Sequence, residues 1–79
     1  MRVKLLYFAS LADRAGRSEE DRDTSARNPR DLYAEAAREH GFAFSVDRIR
    51  VAVNGSLVAW DQTLSEGDEV VFLPPVSGG

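Results

Sequence analysis

Arg2-Val-Lys-Leu-Leu-Tyr-Phe-Ala9 is an apolar, β-prone run whose only interior charge is Lys4, and its reading decides the fold. As a strand it places Val3, Leu5 and Tyr7 on one face and Lys4, Leu6 and Phe8 on the other. Glu69-Val-Val-Phe-Leu73, close to the other end of the chain, reads the same way. The two most apolar strands therefore lie at the two ends. Side by side in the centre of a sheet, each would be shielded along both edges.

The segments between them supply the rest of an α+β domain. Ser10-Leu-Ala-Asp13 has capping-box spacing with Asp in place of Glu, and Gly16 follows, so a short first helix fits with Ser10 as its cap. Arg17 to Arg27 has no apolar anchor in Ser18 to Ser25 and reads as a solvated edge strand or a loop. Asn28-Pro29-Arg30-Asp31 gives an N-cap, a proline at the first helical position and an acid in the first turn. A main helix over Pro29 to His40 follows, with Leu32, Tyr33, Ala36 and Ala37 as its stripe and Gly41 to end it. Arg48 to Val53 alternates as a half-buried strand, Asn54-Gly55 is a hairpin turn, and a return strand runs over Ser56 to Ala59. Gly67-Asp68 turns into the last strand. The expectation is a mixed sheet of four to five strands on one main helix, resembling a ubiquitin-like β-grasp, over residues 1–73. Residues 74–79 form an extended tail.

Composition narrows the function. Seventy-nine residues make one small domain, with little room for a deep enclosed active site. Thirteen acidic against ten basic residues give a net charge of −3, which argues against nucleic acid or anionic membranes as partners and points to proteins. The absence of cysteine removes disulfides, thiolate metal sites and a thiol nucleophile. No apolar stretch approaches the roughly 20 residues of a membrane span, and Met1 to Ala9 lacks a signal-peptide layout, so the cytoplasm is the expected compartment.

Few side chains suggest chemistry. His40, in the last helical turn, complements the helix dipole and has no nucleophile and carboxylate to work with. Glu19, Glu20, Asp21 and Asp23 lack the glycine and terminal Glu of a calcium loop and read as a solvated face. Pro74-Pro-Val-Ser-Gly-Gly79 is a different matter: prolines favour an extended path and glycines can enter a slot too narrow for a Cβ. A glycine pair alone fits a frayed end better than a function. With Lys4 and Glu69 marking the solvent side, alternation puts Leu6, Phe8, Val71 and Leu73 on that side at the root of the tail. That is either a docking surface or a face covered by a loop.

Met1 to Ala9, Val53-Asn-Gly55, Leu64-Ser-Glu-Gly-Asp-Glu-Val-Val-Phe72 and Leu73-Pro-Pro-Val-Ser-Gly-Gly79 together resemble the small, MoaD-type subunit of molybdopterin synthase, in the ThiS/MoaD group of ubiquitin-like sulfur carriers. The resemblance spans nearly the whole chain and departs from the family at Ser18 to Asn28, where an alternating apolar strand is usual. It implies that an E1-like, MoeB-type enzyme adenylates the Gly79 carboxylate with ATP and that a sulfur donor converts it to a thiocarboxylate. It further implies that Pro74, Pro75, Val76, Ser77 and Gly78 insert with Gly79 into a MoaE-type large subunit. There the sulfur would pass to a cyclic pyranopterin monophosphate, in a complex with two copies of each subunit. Basic residues for the pterin would come from the large subunit. Phe8, Leu57 and Leu73 match the family's apolar contact patch. No permanently bound cofactor or metal is implied, only ATP consumed by the partner. A carrier for thiamine or transfer-RNA thiolation, and a β-grasp binding module with an inert tail, are the alternatives.

Overall fold

The computed structural model describes residues 1–75. Its elements run β1 (Arg2–Tyr7), α1 (Ala9–Ala15), β2 (Glu19–Asp23), α2 (Pro29–His40), a 3-10 turn (Val46–Arg48), β3 (Arg50–Val53), β4 (Ser56–Leu57) and β5 (Glu69–Leu73). The sheet order is β2-β1-β5-β3-β4, so the two terminal strands are the inner neighbours expected of them. β1 and β5 pair in parallel, Lys4 opposite Glu69 through Tyr7 opposite Phe72, and the other pairings are antiparallel. This is a ubiquitin-like β-grasp.

Period-two alternation decides which face is core. Val3, Leu5, Tyr7, Val51, Val70 and Phe72 are buried together with Leu32, Tyr33 and Ala36 from α2. Rings fill the end of this layer nearest the tail, where Phe72 sits 5.1 Å from Tyr33 and 6.1 Å from Trp60 between centroids. Edge-to-face and offset contacts of this kind add to the burial of large apolar area.

Turn chemistry locks the sheet at its other end. Asn54 and Gly55 adopt positive φ of 52° and 88°, the geometry a two-residue hairpin needs. The Asn54 amide donates to Asp68 Oδ1 at 2.9 Å and its oxygen accepts from the Glu69 N–H at 2.9 Å. Asp68 also accepts from the Ser65 N–H at 2.8 Å, and its carbonyl accepts from the Lys4 N–H at 2.9 Å. The β3–β4 hairpin, the turn into β5 and β1 are thus tied through two side chains.

α2 starts and stops where its punctuation predicts, with Asn28 accepting from the Asp31 N–H at 2.8 Å and Gly41 closing it at φ 77°. Three boundaries differ from expectation. The chain leaves β1 after Tyr7 through Ala9 at φ 49°, so α1 is capped by Phe8 and Ser10 is already inside the helix, where it cannot cap. Ile49 is buried as alternation requires, but a 3-10 turn occupies Val46–Arg48 and β3 begins at Arg50. β4 is only two residues long.

The larger correction concerns the acidic segment. Residues 19–23 form an edge strand against β1, and Glu20 is not part of a solvated face. Its carboxylate turns inward, accepting from the Tyr7 hydroxyl at 2.5 Å and pairing with His40 Nε2 at 2.8 Å. Arg22 is also drawn in, reaching Glu35 at 3.1 Å, Glu39 at 3.0 Å and Glu20 at 3.4 Å. Thr24 adds a hydrogen bond to Glu35 at 2.8 Å. Charges from β2 and α2 therefore join the edge strand to the helix where an apolar stripe is lacking. Burial pushes the Glu20 pKa up, but the hydrogen bonds from Tyr7 and His40 and the charge of Arg22 outweigh it and hold it below the ordinary 4.5. The Tyr7 phenol is pushed up by burial and by Glu20.

Two expectations follow. Phe72→Ala should cost about 3–5 kcal/mol of unfolding free energy, read from urea denaturation. Because the folded pKa of Glu20 is depressed, its contribution is present above the unfolded value and lost as pH falls through the folded one. Glu20→Gln should lower stability at pH 7 by about 2 kcal/mol and flatten the decline in urea midpoint below pH 4.5, an acid limb that the parent protein should show in full.

Candidate functional site

The face of the sheet opposite α2 is where the expected contact residues fall. Register places Leu6 opposite Val71, Val71 opposite Ala52, and Ala52 opposite Leu57, an apolar row across four strands. None of these four side chains is buried. Phe8 is 49% exposed and Leu57 61% exposed, the two most exposed large apolar side chains among the described residues. Leu73 pairs with Arg50 and is partly buried. Tyr7 pairs with Phe72, so Phe8 and Leu73 each lie one position further along the central strands, at the same end of the sheet. Leu57 and Leu73 line one groove. Leu57, level with the middle of β5, and Leu73 thus meet at one groove, while Phe8 lies just past the end of β1.

The other flank of the face is polar. Lys4 stands opposite Asp21 on one side and Glu69 on the other, an alternation of sign favourable between neighbouring strands. It bounds the apolar row along one side.

The tail leaves from this end. β5 is a central strand held on both sides, and it runs without a turn into Pro74 and Pro75, both partly buried. Proline fixes φ and offers no N–H, so the chain stops pairing here and departs from the sheet. The expectations for Val76, Ser77, Gly78 and Gly79 lie outside the described residues.

Side chains elsewhere offer little alternative chemistry. Glu20, Glu39 and His40 approach one another closely enough to be tested as ligands. Each already has a partner, and the Arg22 guanidinium contacts both carboxylates, so the cluster serves as a structural ion-pair network. Tyr33, its phenol pushed up to about 12 by burial, donates to the Phe44 carbonyl at 2.7 Å and has the same structural character. No described helix is long and apolar enough to cross a membrane.

Ala52, in the middle of the row, was not singled out by sequence reasoning. Its signal is available only through register, since alternation gives a residue's face and not its cross-strand neighbour.

A β-grasp domain with an open apolar end and a proline-led extension from its central strand is the class of molecule these features define. The chain belongs to the ThiS family, whose model matches residues 5–79. It is of the MoaD type: it is 34% identical to the molybdopterin synthase sulfur carrier subunit of Escherichia coli, over 98% of this chain and 99% of that protein. It is 35% identical to the corresponding subunit of Chlamydomonas reinhardtii over the full length of both. Among solved structures it resembles a Pyrococcus furiosus protein described as a putative molybdopterin converting factor subunit 1, with TM-score 0.78, 34% identity, and 96% and 99% of the two chains covered. It also resembles the small archaeal modifier protein 1 of Haloferax volcanii, with TM-score 0.82, 28% identity and full coverage of both chains.

Because Leu57 is mostly exposed and Phe8 about half so, Leu57→Ala should shift the unfolding free energy by less than about 0.5 kcal/mol and Phe8→Ala by about 1 kcal/mol in urea titrations. A loss of 2 kcal/mol or more would mean that they serve the fold.

Proposed function

We propose that this protein is the sulfur carrier subunit of a molybdopterin synthase. The observation that carries the reading is full-length similarity to carriers of that name, on a fold whose central strand runs directly into Pro74-Pro75 beside exposed Phe8 and Leu57. The working group is the α-carboxylate of Gly79.

The chemistry suits a chain without cysteine. A carboxylate is a poor electrophile until one oxygen becomes a leaving group. In the proposed cycle a Gly79 carboxylate oxygen attacks the α-phosphate of ATP on an E1-like adenylating enzyme, releasing pyrophosphate. Hydrosulfide supplied by a donor protein then attacks the acyl carbon and displaces AMP, forming C–S as C–O breaks. The resulting thiocarboxylate is a sulfur nucleophile at neutral pH. With Pro74, Pro75, Val76 and Ser77 as spacer and Gly78 for clearance, it enters the large subunit, where its sulfur bonds to a cyclic pyranopterin monophosphate and water cleaves the acyl C–S bond, returning Gly79 to a carboxylate. Phe8, Leu57 and Leu73 dock the domain while the tail is inserted. Complexes of two carriers with two large subunits, in the cytoplasm, complete the reading. A solved protein-protein complex of subunits 1 and 2 of the molybdopterin-converting factor from Helicobacter pylori contains a chain of this fold.

Moving the carboxylate separates a carrier from a docking module with an inert tail. Deleting Gly79, or adding one residue after it, should abolish rescue of a strain lacking its own molybdopterin synthase small subunit, while the folded domain keeps its urea midpoint. Rescue by either variant would contradict the proposal, and rescue of a thiamine auxotroph by the parent chain instead would redirect it to thiazole sulfur.

A further inference from the structure

Among the described residues only Ala9 and Asn54 hold positive φ without being glycine, at 49° and 52°. Asn54 has a reason in its own side chain, which bonds to Asp68 and to the Glu69 N–H, and asparagine tolerates this region. Ala9 has neither compensation: it carries no polar group and it is exposed, so burial does not offset the strain. Its neighbours are fixed. Tyr7 is fully buried, pairs with Phe72 in the sheet and donates its N–H to the Ser18 carbonyl at 2.8 Å. Leu11, also buried, anchors α1, and its N–H donates to the Phe8 carbonyl at 3.0 Å. Between these anchors Phe8 keeps the extended backbone of the strand, φ −122° and ψ 154°, so alternation carries its ring to the face opposite Tyr7. The turn into α1 is thereby left to Ala9.

We infer that Ala9 is a positioning residue: its left-handed backbone confines Phe8 to one extended geometry, so that the ring already faces the open side of the sheet before the large subunit arrives. The inference rests on the carrier reading above, in which Phe8 docks the domain. Positive φ alone would be met by glycine without strain. What the Ala9 Cβ adds is restriction. For a residue with a Cβ the allowed region at positive φ is small, whereas glycine ranges over both signs of φ. A narrow well at residue 9 leaves the preceding peptide, and with it Phe8, one direction of departure from β1. Nothing in the ladder does this work, because Phe8 lies past the last register pair of β1, Tyr7 with Phe72. An aromatic anchor that is ordered before encounter loses less freedom on binding. This lowers the carrier concentration needed to occupy the large subunit and leaves the sulfur-transfer step unaltered.

The test uses the full chain as its thiocarboxylate with the purified large subunit, following sulfur transfer against carrier concentration, beside the urea midpoint of each free carrier. Ala9→Gly relieves the strain and widens the well, so its urea midpoint should stay at or above the parent's while the carrier KM rises about threefold with kcat unchanged. A chain synthesised with D-alanine at position 9 favours positive φ and keeps the restriction, so its midpoint should exceed the parent's and its KM should match it. A purely structural role would move stability and KM together. A parental KM for Ala9→Gly, or a KM for the D-alanine chain raised as far as that of Ala9→Gly, would overturn the inference. So would a fall in the urea midpoint of Ala9→Gly, which would make its KM an effect of unfolding. Phe8→Ala at the parental KM would also overturn it, since Ala9 would then have no docking group to position, and would leave the sulfur chemistry standing. If the parent thiocarboxylate transfers no sulfur, the carrier reading itself fails and the inference falls with it.

Discussion

The parallel pairing of β1 with β5 is the constraint on which everything else depends. It joins the first and last strands of the chain from Lys4–Glu69 to Tyr7–Phe72 and places both in the interior of the sheet. Parallel neighbours cannot be joined by a tight turn, so the intervening chain must travel around the sheet, and α2 is the element that covers it. The same register aligns Leu5, Tyr7, Val70 and Phe72 against the helix and leaves Leu6, Val71 and Leu73 on the open face. It also fixes where the tail begins. Because β5 is held on both edges, Pro74 leaves from a rigid point rather than from a fraying strand.

The two faces of the sheet therefore differ in what covers them. Aromatic rings, the Asn54–Asp68 clasp and the Glu20–Arg22–His40 network tie together the elements around the buried side. The open end keeps exposed apolar groups beside the tail root, at a modest cost in solubility that the surrounding charges offset.

Much of this was legible in the sequence wherever local chemistry and global packing agreed. Asn28-Pro29 and Gly41 bracket α2 because caps act within one helical turn, and Glu69 to Leu73 is a strand in any context that buries Val70 and Phe72. Leu6, Phe8, Val71 and Leu73 followed from alternation, whereas Leu57 entered only through the family resemblance. β2 was ambiguous because its inward positions are Glu20 and Arg22, whose burial is possible only with Tyr7, Glu35, Glu39 and His40 from elements distant in sequence. Ser10 misled for the opposite reason: its local spacing fits a cap, but Ala9 turns the chain into the helix one step earlier. The groove lined by Leu57 and Leu73 is invisible in sequence, since it is assembled from three separate segments.

The central claim is that Gly79 is the atom-level site of sulfur loading on a chain that has no thiol. Its most direct test is the intact mass of the protein after incubation with its adenylating enzyme, ATP and a sulfur donor, followed by fragmentation of the C-terminal peptide. The account predicts a gain equal to one oxygen-to-sulfur exchange, confined to the terminal glycine. An unchanged mass under conditions that consume ATP, or an added sulfur located anywhere else in the chain, would contradict it.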